Sequence, residues 1–163
     1  MNVIVGIDPG VSGGATMLRG GGRVVTTVGF KPAWTQQEFN RTLRKLLRDA
    51  MRWNTGVPGF RDRMVFLELV GHIGRKDGRK GLFTFGRVDG IIRGTIMTLD
   101  LKVNEVTPMM WQSAMRCLTG GDKNVSKRRA AELWPDVKWT HATADSALIA
   151  EYGRRRITRG SLL

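Results

Sequence analysis

Val3-Ile4-Val5-Gly6-Ile7-Asp8-Pro9-Gly10 is the stretch from which the fold is read. Val3 to Ile7 is a continuous apolar run with no polar alternation, the mark of a strand covered on both faces. The run meets a carboxylate at Asp8, and Pro9-Gly10 ends it. So early an acidic residue, with no basic segment before it, reads as a core strand rather than a signal peptide. Outward from this strand, Ala15 to Leu18 and Arg23 to Val28 form two more short strands, joined through Gly20-Gly21-Gly22. Connections this short predict an antiparallel meander.

Thr35 then stands three residues before Glu38, the spacing of a capping box. Phe39, Leu43, Leu46, Leu47 and Ala50 recur at helical spacing, so 36–52 is an amphipathic helix with Arg and Lys on its other face. Residues 54–61 read as a loop. Met64 to Val70 is a fourth strand, nearly all apolar, with Glu68 inside it. Gly71 to Gly81 reads as a basic loop, and Leu82 to Leu99 as a helix whose Gly86, Gly90 and Gly94 line one face. Val103 to Val106 is a fifth strand. Thr107-Pro108 opens a helix through Cys117, a short basic helix runs from Ser126 to Trp134, and 142–153 is the last helix before a basic tail. The expected architecture is one α/β domain over 1–163, a mixed five-stranded sheet with helices on both sides.

Charge narrows the partner. Lys and Arg number 27 against 14 Asp and Glu, a net charge of +13. Such a field attracts polyanions, nucleic acid above all. No apolar run reaches the roughly 18 residues needed to cross a bilayer. Cys117 is the only cysteine, which excludes an intramolecular disulfide and suits a reducing cytosol. With two histidines in the chain, a His/Cys zinc site is disfavoured.

The few acidic residues stand in unusual places. Asp8 ends a buried strand, Glu68 interrupts another, and Asp145 lies near the start of the apolar segment Ala144-Asp145-Ser146-Ala147-Leu148-Ile149-Ala150. Each singly reads as a satisfied structural residue or a surface position. Three together predict convergence on shared cations, because a buried carboxylate is costly unless paired or metal-bound. Hard oxygen ligands select Mg²⁺, with Mn²⁺ as a substitute. Two such ions about 4 Å apart can hold both sides of a phosphodiester without any nucleophilic side chain.

The chain also resembles a known family. Gly6-Ile7-Asp8-Pro9-Gly10 with Ser12-Gly13-Gly14-Ala15 looks like the opening of RuvC-type Holliday junction resolvases. Leu67-Glu68-Leu69-Val70, Phe83-Thr84-Phe85-Gly86-Arg87, Val106-Thr107-Pro108 with Trp111, and Ala144 to Gly153 continue the match in order, closest to the small phage-type branch. The resemblance implies a ribonuclease H-like fold and a cytoplasmic homodimer, in the bacterial cytosol or phage-encoded, that nicks four-way DNA junctions symmetrically in recombination, repair or phage DNA processing. It also implies Asp8, Glu68 and Asp145 as metal ligands. His141 holds the place where the family often has a fourth acidic or histidine residue, and Thr140 stands where an acidic neighbour is expected. Three roles stay open for His141: metal ligand, general base or bystander. Glu151 lies six residues past Asp145 and points away from it on a helix.

Arg75, Lys76, Arg79 and Lys80 follow the Glu68 strand and are candidate phosphate contacts. Lys123, Lys127 and Arg128 form a second candidate cluster. Trp111 and Trp134 read as core, and Phe83 and Phe85 as core or dimer interface. Two other readings compete: a nuclease of the same fold acting on flaps or forks, and a non-catalytic DNA-binding protein. An actin-like ATPase, which Asp8-Pro9-Gly10 also suggests, needs a second phosphate loop that this chain lacks, so no nucleotide cofactor is expected.

Overall fold

The computed structural model describes residues 3–69, 78–118, 120, 122 and 124–160, with the side chains at 62, 63, 79 and 80 outside that description. Arg75, Lys76 and Lys123 lie outside the described residues.

The opening apolar run is β1 (Val3–Asp8), buried along all but its last residue. It pairs antiparallel with β2 (Gly14–Arg19), from Val3 opposite Arg19 to Asp8 opposite Gly14. β2 pairs antiparallel with β3 (Val24–Gly29). The expected meander is therefore present. On its other side β1 pairs in parallel with β4 (Val65–Glu68), which in turn pairs in parallel with β5 (Val103–Val106). The strand order is β3-β2-β1-β4-β5, so β1 is central and needs apolar residues on both faces.

Helices cover both faces, and strand parity assigns them. Val3, Val5 and Ile7 of β1 and Val65 and Leu67 of β4 share one core. Two long helices contribute to that core: α1 (Gln36–Trp53) through Phe39, Leu43, Leu46, Leu47 and Ala50, and α3 (Arg79–Met97) through Val88, Ile92 and Ile96. Ile4 and Phe66 face the other way, into a core with α4 (Pro108–Met115) and α6 (His141–Thr158). α5 (Asn124–Leu133) closes that layer, its Ala130 packed with Trp139, Ala144 and Ala147.

α6 lies directly on the sheet. A Cβ at Gly6 would strike the backbone of Ser146 and Ala150, and one at Gly153 would strike the Phe66 ring. No larger residue fits at either contact. Two buried hydroxyls set the register of this packing: Thr16 Oγ1 and Ser146 Oγ lie 2.8 Å apart.

Several boundaries differ from expectation. The 54–61 loop ends in a single helical turn, α2 (Phe60–Arg63), too short to carry a periodic signal. α3 begins at Arg79, inside the stretch read as a loop, so Arg79 and Lys80 sit on its first turn. It ends at Met97, and Asp100 takes a positive φ of 54° just beyond. α4 stops at Met115 because Arg116 turns left-handed, with φ 57°. α6 continues through the segment read as a tail, to Thr158. Among the described residues no helix is long and apolar enough to cross a membrane.

Candidate metal centre

Parity also decides where the carboxylates go. Side chains two apart on a strand share a face. Asp8 therefore follows Gly6 onto the α6 side of β1, and Glu68 follows Phe66 onto the α6 side of β4. Ile7 pairs with Leu67 in parallel register, so Asp8 and Glu68 end adjacent strands at the same level. Asp145 lies on α6 next to Ser146, whose backbone faces Gly6. Three acidic residues, far apart in the chain, thus lie toward one end of the sheet, where Asp8 and Asp145 bear electrostatically on Glu68.

The three carboxylates are coupled electrostatically. Burial pushes the Glu68 carboxyl up to about 8, and the charges of Asp8 and then Asp145 push it the same way; a hydrogen bond from Trp111 opposes them. Like charges in a dry site cannot all ionise cheaply. Clusters of this kind are where cations bind and where functional sites concentrate.

The donors suit a hard divalent cation in kind, all being carboxylate oxygens. They are not drawn into a closed ligand shell: among the described residues no three His, Cys, Asp or Glu side chains are gathered to hold a metal ion as they stand. Two of the three carboxylates make local hydrogen bonds. Asp8 Oδ1 accepts from the Gly10 backbone N–H at 3.2 Å, and Glu68 Oε2 accepts from Trp111 Nε1 at 3.3 Å.

His141 is the first residue of α6, exposed, one turn before Asp145. Thr140 caps this helix, its hydroxyl accepting from the Thr143 N–H and the Thr143 hydroxyl bonding back to the Thr140 N–H. The position where an acidic residue was expected is thus taken by a helix cap. Glu151, 4% exposed, is held by Arg154 and Arg155 at 2.7–2.8 Å, away from the carboxylate cluster. Cys117 is buried, and burial followed by the Asp145 charge pushes its thiol up to about 11, against the pull of Arg129. A thiol held so high is not a nucleophile.

Of the basic candidates, Lys127 and Arg128 lie exposed on α5, with Arg128 3.3 Å from Asp122. Arg79 and Lys80 are placed by backbone alone. Phe83 is 72% exposed, not core. Trp134 is packed as expected, its Nε1 donating to the Gly22 carbonyl. Sequence reasoning missed two features. Trp111, read as core alone, is buried and also bonds Glu68. The Thr16–Ser146 pair seats α6; a threonine inside an otherwise apolar strand was the available signal.

No protein-family model and no curated protein matches the sequence. The structure is similar to that of Thermus thermophilus RuvC in complex with Holliday junction substrate: TM-score 0.70, 17% identity, over 99% of this chain and 98% of that one. A second Thermus thermophilus RuvC structure gives TM-score 0.68 and 16% identity, over 98% of this chain and 97% of that one. The chain therefore has the RuvC fold, a ribonuclease H-like mixed α/β sheet, along nearly its whole length.

Proposed function

We propose that this chain is a metal-dependent endonuclease that binds four-way DNA junctions and nicks them symmetrically as a homodimer. The observation that carries the reading is the meeting of Asp8, Glu68 and Asp145 at one sheet end, in a chain of net charge +13. Three carboxylates facing one another would weaken a pure DNA binder, since they repel the phosphates it must hold. The RuvC likeness, which includes a structure with a Holliday junction, supports the choice of substrate.

In this reading Asp8, Glu68 and Asp145 hold two Mg²⁺ ions, with Mn²⁺ able to substitute. The ions, when bound, neutralise charge on the scissile phosphate and favour attack by water. The carboxylates would hold the ions at the end of the sheet beside β1, β4 and α6, where a phosphate could reach them. His141, at the open end of α6, either completes the ligand set or accepts the proton of the attacking water on its imidazole. Lys127 and Arg128, with Arg75, Lys76, Arg79, Lys80 and Lys123, contact the phosphates of the arms. Among the described residues nothing lies within 4 Å of a Cβ built at Gly86, Gly90 or Gly94 on α3, and that face supports pairing of two copies.

The test is a cleavage panel: four-way junctions, flaps, forks and linear duplex, each with Mg²⁺, Mn²⁺ or Ca²⁺, resolved for nick position. Paired, symmetric nicks in junctions with Mg²⁺ or Mn²⁺ are expected. Preference for flaps or forks would reassign the substrate within the same fold. No cutting of any DNA with any of these ions would overturn the nuclease reading.

A further inference from the structure

Among the described residues, one neutral side chain is seen to bond the Glu68 carboxylate. The Trp111 indole N–H donates to Oε2 at 3.3 Å. Trp111 is 1% exposed and packed among Phe66, Val106, Met115 and Leu148, so its ring has no room to rotate. Its helix is anchored at the same point: Thr107 caps α4, Pro108 follows, and the Trp111 backbone N–H bonds the Thr107 carbonyl. Thr107 directly follows β5, and β5 pairs with β4 up to Val106 opposite Glu68. The helix that carries the donor therefore starts directly after the strand that neighbours the one carrying the carboxylate.

An indole N–H donates only, and it cannot be titrated away. It is one of the few partners that steadies a carboxylate without adding a charge that would compete with a cation. We propose that Trp111 is the positioning residue of the metal centre: it fixes Glu68 Oε2, so that Oε1 is the oxygen presented to a cation. Without it, no hydrogen bond seen among the described residues fixes the flexible Glu68 side chain in one rotamer. Groups that orient metal ligands in this way are commonly worth 10–100-fold in affinity, about that range when one is removed. The inference rests on Glu68 being a ligand, as proposed above.

The experiment is calorimetric titration of Mn²⁺ into the DNA-free protein, comparing wild type, Trp111→Phe, Glu68→Gln and the double variant. Trp111→Phe keeps a ring in the core and loses the donor. Its Mn²⁺ affinity should fall by roughly 10-fold or more. In the Glu68→Gln background the same change should have little effect, because Trp111 acts through Glu68. A role in packing alone lowers thermal stability and leaves the affinity untouched, which would overturn the proposal. Should Trp111→Phe fail to fold, a benzothienylalanine at position 111 keeps the two-ring shape without the N–H, and the same comparison applies. If Glu68→Gln itself binds Mn²⁺ like wild type, Glu68 is not a ligand and the metal-centre reading fails, whatever Trp111 does.

Discussion

Gly6 and Ala150 touch backbone to backbone: a Cβ on Gly6 would overlap the Ala150 N–H and the neighbouring Ser146 carbonyl. This contact sets the distance between Asp8, two residues along β1, and Asp145, on the turn of α6 just before. Gly6→Ala should therefore injure fold and site together. Overpacking usually costs about 1–3 kcal/mol, and the obstruction here is main chain, which has no rotamer to escape into. Denaturant unfolding should place Gly6→Ala at or above that range, with cutting lost. Gly86→Ala is the contrast, since among the described residues nothing stands within 4 Å of a Cβ built there. There a gain of about 0.5–1 kcal/mol is expected, because glycine is a poor helix residue. Equal losses at the two sites would contradict this account of α6 seating.

Asp8→Asn, Glu68→Gln and Asp145→Asn should each abolish cutting while junction binding stays intact or tightens, since negative charge facing the phosphates is removed. Any one of them that cuts like wild type leaves the site. His141→Ala should lose about 10²–10⁴-fold if the imidazole moves a proton or binds an ion. His141→Asp restores activity only in the ligand role, because oxygen donors suit Mg²⁺ better than imidazole.

The Glu68 carboxyl lies near 8 in the folded protein against an ordinary 4.5, so linkage has a definite sign. Below 4.5 the group is protonated in both states. Between 4.5 and 8 the unfolded chain releases the proton and the folded one keeps it, so stability is lost as pH rises through that window. In EDTA, wild type should become less stable from pH 5 to pH 8.5. Glu68→Gln should remove much of that slope and melt higher at pH 8.5, by an amount on the order of a few kcal/mol. Added Mn²⁺ should reverse the order of the two proteins. Parallel stability curves for both in EDTA would mean that Glu68 is not crowded as described.

Gly90→Leu should weaken self-association and paired nicking more than it weakens the fold. Gly90 lies exposed on α3 between Gly86 and Gly94, with no described residue within 4 Å of a Cβ at any of the three. Glycines four apart let a second helix approach closely, and a two-fold dimer matches a four-way junction. Sedimentation of wild type and variant, free and on a junction, reads this directly. A wild-type monomer in both states would remove the dimer.

DNA affinity should fall steeply with salt, with a log–log slope near −0.9 per phosphate neutralised. Lys127→Ala, exposed on α5, should reduce that slope by about 1. Arg128→Ala should do less, because Asp122 already partners the guanidinium at 3.3 Å. Titrations in Ca²⁺ across several salt concentrations measure both. A slope unchanged by Lys127→Ala would take that residue off the DNA surface.

Local sequence was enough for the strands, the long helices and the candidate ligands. β1 was legible because burial on both faces leaves an unbroken apolar run, and α1 because a single buried face leaves a helical repeat from Phe39 to Ala50. Asp8, Glu68 and Asp145 were legible because a charge in such a run is locally anomalous. Beyond the antiparallel meander, which distant groups meet was not legible. The C-terminal end of α6 looks like a tail at Arg154-Arg155-Arg156, and it stays helical as Arg154 and Arg155 reach back to a buried Glu151. Trp111 looks like any core tryptophan, because the carboxylate that its N–H bonds lies 43 residues away. The same holds for Thr16 and Ser146, 130 residues apart, and for Gly6, whose lack of a side chain matters only once α6 lies across it. Periodicity and local anomaly are properties of neighbours in the chain. Hydrogen-bond partners, close backbone contacts and the crowding that perturbs Glu68 arise only when β1, β4, α4 and α6 are packed together.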